Sequence, residues 1–437
     1  MHPLQKLVQL QKQGNKVGIY SACSANEYVL EAVMEKAKKT NSVCLVEATS
    51  NQVNQYGGYT GMKPQDFYDF CWQLANKIGL QTSQLILGGD HLGPLTWTDM
   101  VEAEAMVEAE VMVKEYVMAG FTKIHIDTSM RVADDDTSVA LATAVIATRG
   151  ARLAKACEDA YQELLKSNPS AIAPVYIIGS EVPIPGGAQE EEGLHVTLPE
   201  DFKATVETFK TAFEELSLQS AWQRVIAVVV QPGVEFGDTI IDEYNREAAS
   251  ALVATLSDYD SLVFEGHSTD YQTVKGLTEM VEDGIAILKV GPGLTFAARE
   301  AMFALAHIEE ELLKDTSIKT SNFIKVLDEA MLANPKNWIK HYHGEEIQQA
   351  FKRKYSFSDR CRYYLPIPEV DASLSVLIKN LKENEIPLSL LSAYLPIQYT
   401  KVRNKELALD PEALIKDRVM DMIDEYLLAT KQEEIKL

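Results

Sequence analysis

The sequence predicts a (β/α)8 TIM barrel, and three observations support that prediction. Eight short apolar runs occur along the chain, at residues 17–21, 43–49, 85–91, 123–127, 175–181, 225–231, 262–267 and 285–291. Such runs are typical of strands that are buried on both faces of a parallel sheet. Helical periodicity separates the runs, and several of them end in a polar or charged cluster. These patterns indicate eight parallel strands whose polar ends meet at one mouth of a barrel.

The stretches between the runs have the apolar spacing of amphipathic helices. We predict helices over residues 27–39, 64–78, 100–119, 139–167, 199–216, 242–256 and 271–282, each joining two strands by a right-handed crossover. Residues 101–114, where Glu, Ala, Met and Val alternate, also have the composition of a coiled-coil seam or a partner helix. We prefer a barrel helix there, because a crossover helix is required at that place.

The chain has 437 residues, which is more than the roughly 250 residues of a bare barrel. The eighth run ends near residue 291, and a helix over residues 296–313 closes the barrel. We therefore expect a barrel over residues 1–313 and a mostly helical C-terminal extension, packed on it, over residues 314–437. Residues 355–364 of the extension are aromatic and basic, which fits an oligomer contact, a lid or a satellite core.

Charge and composition exclude several classes of partner. The net charge of −23 argues against nucleic acids and anionic membranes, because binding to phosphates at a surface needs concentrated basic groups. A small phosphorylated ligand remains compatible with this charge, since local N–H groups can outweigh the overall field. No apolar run approaches 18 residues, so we expect no membrane contact. The five cysteines form no C-x-x-C pair, which indicates a reduced, cytoplasmic protein.

The strongest candidate chemistry lies at the end of the third run, in Asp90 and His91. A carboxylate beside an imidazole supplies a proton acceptor and a metal ligand, although a turn-forming aspartate and a structural histidine would give the same pair. Glu181 ends the fifth run and His267 the seventh. We expect His91, Glu181 and His267 to hold a divalent metal such as zinc, with Asp90 as the candidate base.

Other polar residues at the same mouth are candidates for substrate contact: Glu47, Asn51, Asp127, Ser129 and Gln231. Two loops on this face, residues 51–61 and 182–187, are long, and the amides and tyrosines of the first suit polyols. His125 shares a side with Asp127 by strand alternation, and it fits either a ligand or an interior residue. The acidic run 134–136 resembles a metal loop, but such runs are usually solvated.

The loops after the seventh and eighth strands form the usual phosphate site of this barrel. Ser268, Gly291 and Gly293 are therefore candidates for phosphate contact. Lys289 on the eighth strand allows Schiff-base chemistry, but we favour a role as a charge partner. The sequence has no Gly-x-x-x-x-Gly-Lys-Ser/Thr stretch, which argues against a P-loop kinase.

Five segments resemble the GatZ/KbaZ family, at residues 46–55, 88–94, 230–236, 265–272 and 288–292. Members of that family are described as the non-catalytic subunit of class II D-tagatose-1,6-bisphosphate aldolase, and some are labelled tagatose-6-phosphate kinases. The five segments are long and occur in the same order, so the resemblance is specific and covers nearly the whole chain.

The family is in turn similar to the catalytic class II aldolases, which are zinc barrels, and this implies a barrel of that type over residues 1–313. On their pattern, Asp90 is the catalytic carboxylate, and His91 and His267 are two of the zinc-binding histidines. Gln231 stands where the catalytic family has another zinc histidine, and Gly291 or Pro292 stands where it has an asparagine. Glutamine replaces imidazole poorly on zinc, which argues against independent aldol cleavage.

Two functions follow from the resemblance. In the first, the chain is an accessory subunit that stabilises and activates a separate GatY/KbaY-like catalytic class II aldolase subunit, in galactitol, N-acetylgalactosamine or tagatose 6-phosphate catabolism. In the second, the chain is itself a metal-dependent sugar-phosphate aldolase or 4-epimerase, which the retained polar mouth favours. In both we expect an oligomer and a small sugar phosphate as ligand.

Overall fold

The computed structural model describes residues 1–180 and 194–435. Eight parallel strands close into a barrel in the order β1-β2-β3-β4-β5-β6-β9-β10, with β10 paired to β1. These strands are β1 Ile19–Cys23, β2 Cys44–Thr49, β3 Leu85–Leu92, β4 Lys123–Ile126, β5 Val175–Ile178, β6 Val225–Val230, β9 Val263–Gly266 and β10 Ile285–Val290. An antiparallel hairpin, β7 Glu235–Phe236 with β8 Ile241–Asp242, stands apart from the barrel. The predicted TIM barrel is confirmed.

Helices surround the barrel and form much of the rest of the described chain. They are α1 Pro3–Lys12, α2 Glu27–Thr40, α3 Pro64–Ile78, α4 Glu102–Ala119, α5 Thr143–Ser167, α6 Pro199–Glu215, α7 Gln219–Trp222, α8 Arg246–Ala254, α9 Val274–Glu282, α10 Pro292–Leu313, α11 Phe323–Ala333, α12 Glu346–Tyr355, α13 Pro368–Glu383, α14 Leu388–Tyr394, α15 Pro396–Arg403 and α16 Pro411–Thr430. Helix α4 packs against α3 and α5, as a crossover helix does. Helix α8 begins later than predicted, because residues 241–242 pair in the hairpin and Asn245 caps the helix.

The barrel interior changes from apolar to charged along its axis. At the amino ends of the strands, Leu4 and Leu7 of α1 pack against interior residues such as Leu45 and Ile287. Two residues further along the same strands, Glu47 and Lys289 point to the same interior, because side chains alternate between faces. The apolar layer closes the bottom of the barrel, and the charged layer lies beneath its mouth.

The sequence predicts that the helix over residues 296–313 closes the barrel, but α16, from the predicted C-terminal extension, completes the outer ring of helices. It packs between α2 and α9 and against β1, while α10 lies alongside it. Two hydrogen bonds tie its end to the barrel. The Gly18 N–H donates to the Thr430 carbonyl at 2.8 Å, and the Tyr20 N–H donates to the side-chain oxygen of Gln432 at 3.3 Å. Residues far apart in sequence therefore share one wall of the barrel.

Among the described residues, no helix has both the length and the apolar composition needed to cross a bilayer. All five cysteines are free thiols.

Candidate functional site

A cavity opens at the carboxyl ends of the strands. Its floor is formed by Asp90, His91, His267 and Lys289, and the loop after β2 contributes Asn51, Gln52 and Tyr59 to its wall. The C-terminal extension adds Arg362 and Tyr363. The candidate site therefore draws on the barrel, one long loop and the extension.

Asp90 and His91 lie in an irregularity at the end of β3. The pairing of β3 with β4 shifts register between Gly89 and Leu92, and His91 has a φ of 48°. A non-glycine residue in the left-handed region is uncommon, and such residues cluster at functional sites. The bulge turns both side chains toward the cavity instead of leaving them on opposite faces of a regular strand.

Beneath the cavity, two buried lysines tie the carboxylates of several strands together. The Lys123 ammonium lies 2.7 Å from both Glu47 Oε1 and Glu265 Oε2. Lys289 Nζ lies 2.7 Å from Glu47 Oε2 and 3.1 Å from Asp90 Oδ1. All five side chains are buried, so this network holds the strand ends in fixed positions.

Three histidines stand above this network with their rings close together. The ring centroids of His91, His125 and His267 are separated by 4.8 to 5.1 Å. Each ring has a nitrogen beside a carboxylate: His91 Nδ1 lies 2.9 Å from Asp127, His125 Nδ1 lies 2.8 Å from Asp90, and His267 Nε2 lies 3.0 Å from Glu265. A carboxylate that orients one ring nitrogen and leaves the other for a metal is the common arrangement around metal-binding histidines.

The cluster fits a divalent cation on charge and on geometry. Four buried carboxylates face two lysines, which leaves a charge of −2 when the histidines are neutral. Asp90, His125, Glu265 and His267 each offer a ligand atom within 4.8 Å of the others. His125 Nε2 is buried and has no hydrogen-bond partner among the described residues. Imidazole and carboxylate donors together suit zinc and similar metals.

The pKa values in the cluster follow from burial opposed by neighbouring charges. Burial alone would raise the pKa of Asp90, but His91 and Lys289 bring it well below the ordinary value. The pKa of Asp127 likewise falls to about 2 beside His91. Burial lowers the pKa of His267 to about 3. His91 is buried too, but Asp90 and Asp127 raise its pKa above the ordinary value.

Lys289 is held as a cation. Burial disfavours its charge, yet Asp90 and the other acidic neighbours raise its pKa well above the ordinary value. A Schiff base requires the neutral amine, so these contacts favour the charge-partner interpretation of Lys289.

Of the other residues predicted for the site, some line the cavity and others do not. Asn51 and Ser268 line the cavity, whereas Ser129 lies beside it and donates to Asp127 Oδ1 at 2.7 Å. Gln231 is turned into its own loop, where its side-chain oxygen accepts from the N–H groups of Gly233 at 2.9 Å and Val234 at 3.0 Å. Glu181 and the loop 182–187 lie outside the described residues. The acidic run 134–136 caps α4 and pairs with Arg149.

The amides predicted to bind phosphate are already engaged. Asp270 Oδ1 accepts from the Gly291 N–H at 2.9 Å and from the Gly293 N–H at 2.7 Å. Asp270 is buried, and burial raises its pKa to about 6 against the effect of these two bonds. A phosphate group at the start of α10 would have to displace this carboxylate.

Several residues of the site were not singled out from the sequence: Lys123, Glu265, Cys23, Tyr59, Arg362 and Tyr363. Strand alternation provides a signal for two of them, since Lys123 precedes His125 by two residues and Glu265 precedes His267 by two. The segment 355–364 has a distinctive aromatic and basic composition, but the sequence does not predict what it packs against. It packs on the hairpin and on the loop after β9, where the Tyr271 hydroxyl donates to the Phe357 carbonyl at 2.6 Å.

Residues 4–431 match the model of the GatZ/KbaZ-like D-tagatose-1,6-bisphosphate aldolase subunits. The crystal structure of a probable tagatose 6-phosphate kinase from Sinorhizobium meliloti 1021 is similar, with 44% identity over 94% of this chain and 100% of that one and a TM-score of 0.86. The YdjI aldolase from Escherichia coli K12 shares 13% identity over 84% of this chain and 97% of its own, with a TM-score of 0.41. A fructose-bisphosphate aldolase from Campylobacter jejuni shares 16% identity over 87% of this chain and 91% of its own, with a TM-score of 0.41.

Proposed function

Because the chain belongs to the GatZ/KbaZ-like family of D-tagatose-1,6-bisphosphate aldolase subunits, we propose that it supports a separate catalytic class II aldolase subunit. In this role it stabilises that subunit and raises its rate of cleavage of D-tagatose 1,6-bisphosphate. The setting is the cytoplasmic breakdown of galactitol, N-acetylgalactosamine or tagatose 6-phosphate.

The observation that carries the accessory role is the conformation of Gln231. Its side-chain oxygen accepts from two N–H groups of its own loop, so β6 brings no ligand atom into the cavity. By the resemblance, the catalytic aldolases have a zinc histidine at this place. The proposal therefore assigns cleavage to the partner.

A second candidate is that the chain carries out metal-dependent chemistry itself, as a sugar-phosphate aldolase or 4-epimerase. The buried cluster favours it, because a subunit with a purely structural role needs neither four buried carboxylates against two lysines nor an imidazole nitrogen that has no partner among the described residues. Buried polar groups without partners are costly. Their retention therefore supports a bound cation.

In this second candidate, His125, Glu265 and His267 hold the metal, and this set shares only His267 with the set predicted from the sequence. A bound divalent metal supplies Lewis acidity toward a carbonyl or hydroxyl oxygen of the sugar. Asp90 is the proton acceptor: it is ionised at neutral pH, and Lys289 and His125 fix its Oδ1. His91, oriented by Asp127, stands on the opposite side of the Asp90 carboxylate, with Nε2 3.7 Å from Oδ2.

One experiment separates the two candidates. Metal content is measured on the purified protein, and cleavage of tagatose 1,6-bisphosphate is followed with the chain alone, with a catalytic class II aldolase subunit alone and with both. Cleavage that rises only when both are present supports the accessory role. Turnover of tagatose 1,6-bisphosphate, or epimerisation of tagatose 6-phosphate, by the chain alone supports the second candidate. Absence of any effect on the rate or stability of the catalytic subunit would rule out the first.

Variants at His125 test the metal site directly. We expect His125→Ala to lose the bound metal, whereas His307→Ala, which removes a ring that stacks on Tyr394 of the extension, retains it. Metal retained at full stoichiometry in His125→Ala would show that the ligand set is wrong.

A further inference from the structure

The cavity has an uneven distribution of positive charge. Among the described residues that line it, the permanent cations are Lys289 at the floor and Arg362 at the mouth. Lys289 is neutralised by Glu47 and Asp90. No carboxylate of the described residues forms an ion pair with Arg362 within 4.0 Å. Asp359 and Asp270 act on Arg362 only at longer range, and Asp359 is already paired with Arg299 at 2.9 Å. Arg362 is thus the cation of this cavity that has no carboxylate of the described residues in ion-pair contact.

The guanidinium of Arg362 is nevertheless held in place. One of its nitrogens donates to the carbonyl oxygens of Ser358 and Asp359, the latter at 2.9 Å, and another donates to the Tyr363 hydroxyl at 2.9 Å. The ring of Tyr363 also lies edge-on to that of Tyr59, with centroids 4.8 Å apart. These partners are all neutral, so they fix the orientation of the group without cancelling its charge.

The usual phosphate position of the barrel is closed by the chain itself, since Asp270 accepts from the amides of Gly291 and Gly293. A phosphorylated ligand in this cavity therefore needs another anchor. Arg362 lines this cavity and also an adjoining one. Guanidinium groups bind phosphate oxygens with charge-assisted, often paired, hydrogen bonds.

We propose that Arg362 binds the phosphate group of the sugar phosphate, with the hydroxyl groups of Tyr59 and Tyr363 beside it. This inference rests on the proposed function for the identity of the sugar, but not for the anion site. It assigns the C-terminal extension a role in recognition: the barrel provides the polar floor, and the extension selects phosphorylated over free sugars.

The test is a binding measurement, so that it does not depend on turnover. Calorimetry on the full chain compares D-tagatose 1,6-bisphosphate, D-tagatose and inorganic phosphate, for the wild type, Arg362→Gln, Arg362→Lys and a control. The control is Arg246→Gln, which removes an arginine that is paired with Glu282 and Asp283 away from the cavity. We expect Arg362→Gln to weaken the bisphosphate at least tenfold, which is about 1.4 kcal/mol, with D-tagatose unchanged. Arg362→Lys should retain an intermediate affinity, and the control should match the wild type.

The results distinguish failure of the inference from failure of the proposed function. Equal affinity of the wild type and Arg362→Gln for the phosphorylated ligands overturns the inference, while the aldolase assay decides the function separately. If the wild type binds no tagatose phosphate, the affinities of the wild type and Arg362→Gln for inorganic phosphate are compared instead. If Arg362→Gln does not fold, phenylglyoxal labelling of the wild type decides: tagatose 1,6-bisphosphate should protect Arg362 and D-tagatose should not, and labelling without protection overturns the inference.

Discussion

Replacing Lys123 with methionine tests whether the charged layer of the barrel contributes to stability as its geometry indicates. The Lys123 ammonium is 2.7 Å from a carboxylate oxygen on each side, and none of the three side chains is exposed. At an effective dielectric constant of about 20, each contact is worth about 6 kcal/mol of Coulomb energy. Much of this offsets desolvation, and removal of one partner from a buried pair typically costs about 3–5 kcal/mol.

We expect Lys123→Met to lower the free energy of unfolding by about 3–5 kcal/mol, as measured by urea denaturation at pH 8. The deficit should be smaller at pH 5. Without Lys123, the pKa of Glu265 in the folded state rises above its unfolded value, so the variant loses stability as the pH rises toward that folded pKa. Lys203→Met is the matched control, because Lys203 also lies 2.7 Å from a carboxylate, that of Asp258, but on the exposed surface. A deficit below about 1 kcal/mol at pH 8 would refute the reasoning about buried charge.

Three other predictions concern single features of the fold. Burial raises the pKa of Glu235 to about 7 in the folded state. Between the unfolded pKa and pH 7, the folded state therefore binds more protons than the unfolded state, and the free energy of unfolding falls as the pH rises. Relative to Glu235→Gln, the wild type should therefore lose about 1–3 kcal/mol of unfolding free energy from pH 5 to pH 8, and parallel pH profiles would contradict this. A Cβ at Gly93 would lie 1.6 Å from the Asp127 carbonyl oxygen, so Gly93→Ala should cost about 1–3 kcal/mol or more and lower the melting temperature, whereas Gly237→Ala, with open space around it, should leave it unchanged. Deletion of residues 411–437 should abolish cooperative thermal unfolding and increase dye binding to exposed apolar surface; a sharp unfolding transition in the truncated chain would show that α16 is dispensable.

The strands were predictable because each is an apolar run buried on both faces, a local pattern that needs no knowledge of the partner strands. The site was predictable where a polar residue ends such a run, as at Asp90 and His267. It was less predictable inside the runs, where Lys123 and Glu265 resemble single charges at the edge of a strand. Their pairing across the barrel depends on closure of the sheet, which no local pattern records.

Contacts between distant parts of the chain were beyond sequence reasoning. The segment around Arg362 has a distinctive composition, but nothing in it specifies that it reaches the mouth of the barrel. Asp270 lies in the loop after the seventh predicted strand, which was expected to bind phosphate, and its carboxylate accepts from the amides of Gly291 and Gly293 that a phosphate would need. That outcome depends on the orientation of one side chain.

The position of α16 has a consequence for how the protein is made. Its last turn and the residues after it bond to β1, at a separation of 412 residues between Tyr20 and Gln432. During synthesis, the outer face of β1 is therefore not fully covered until residue 432 has left the ribosome. Contacts of such long range slow folding and leave apolar surface open in the meantime. The nascent chain should accordingly depend on chaperones until α16 emerges.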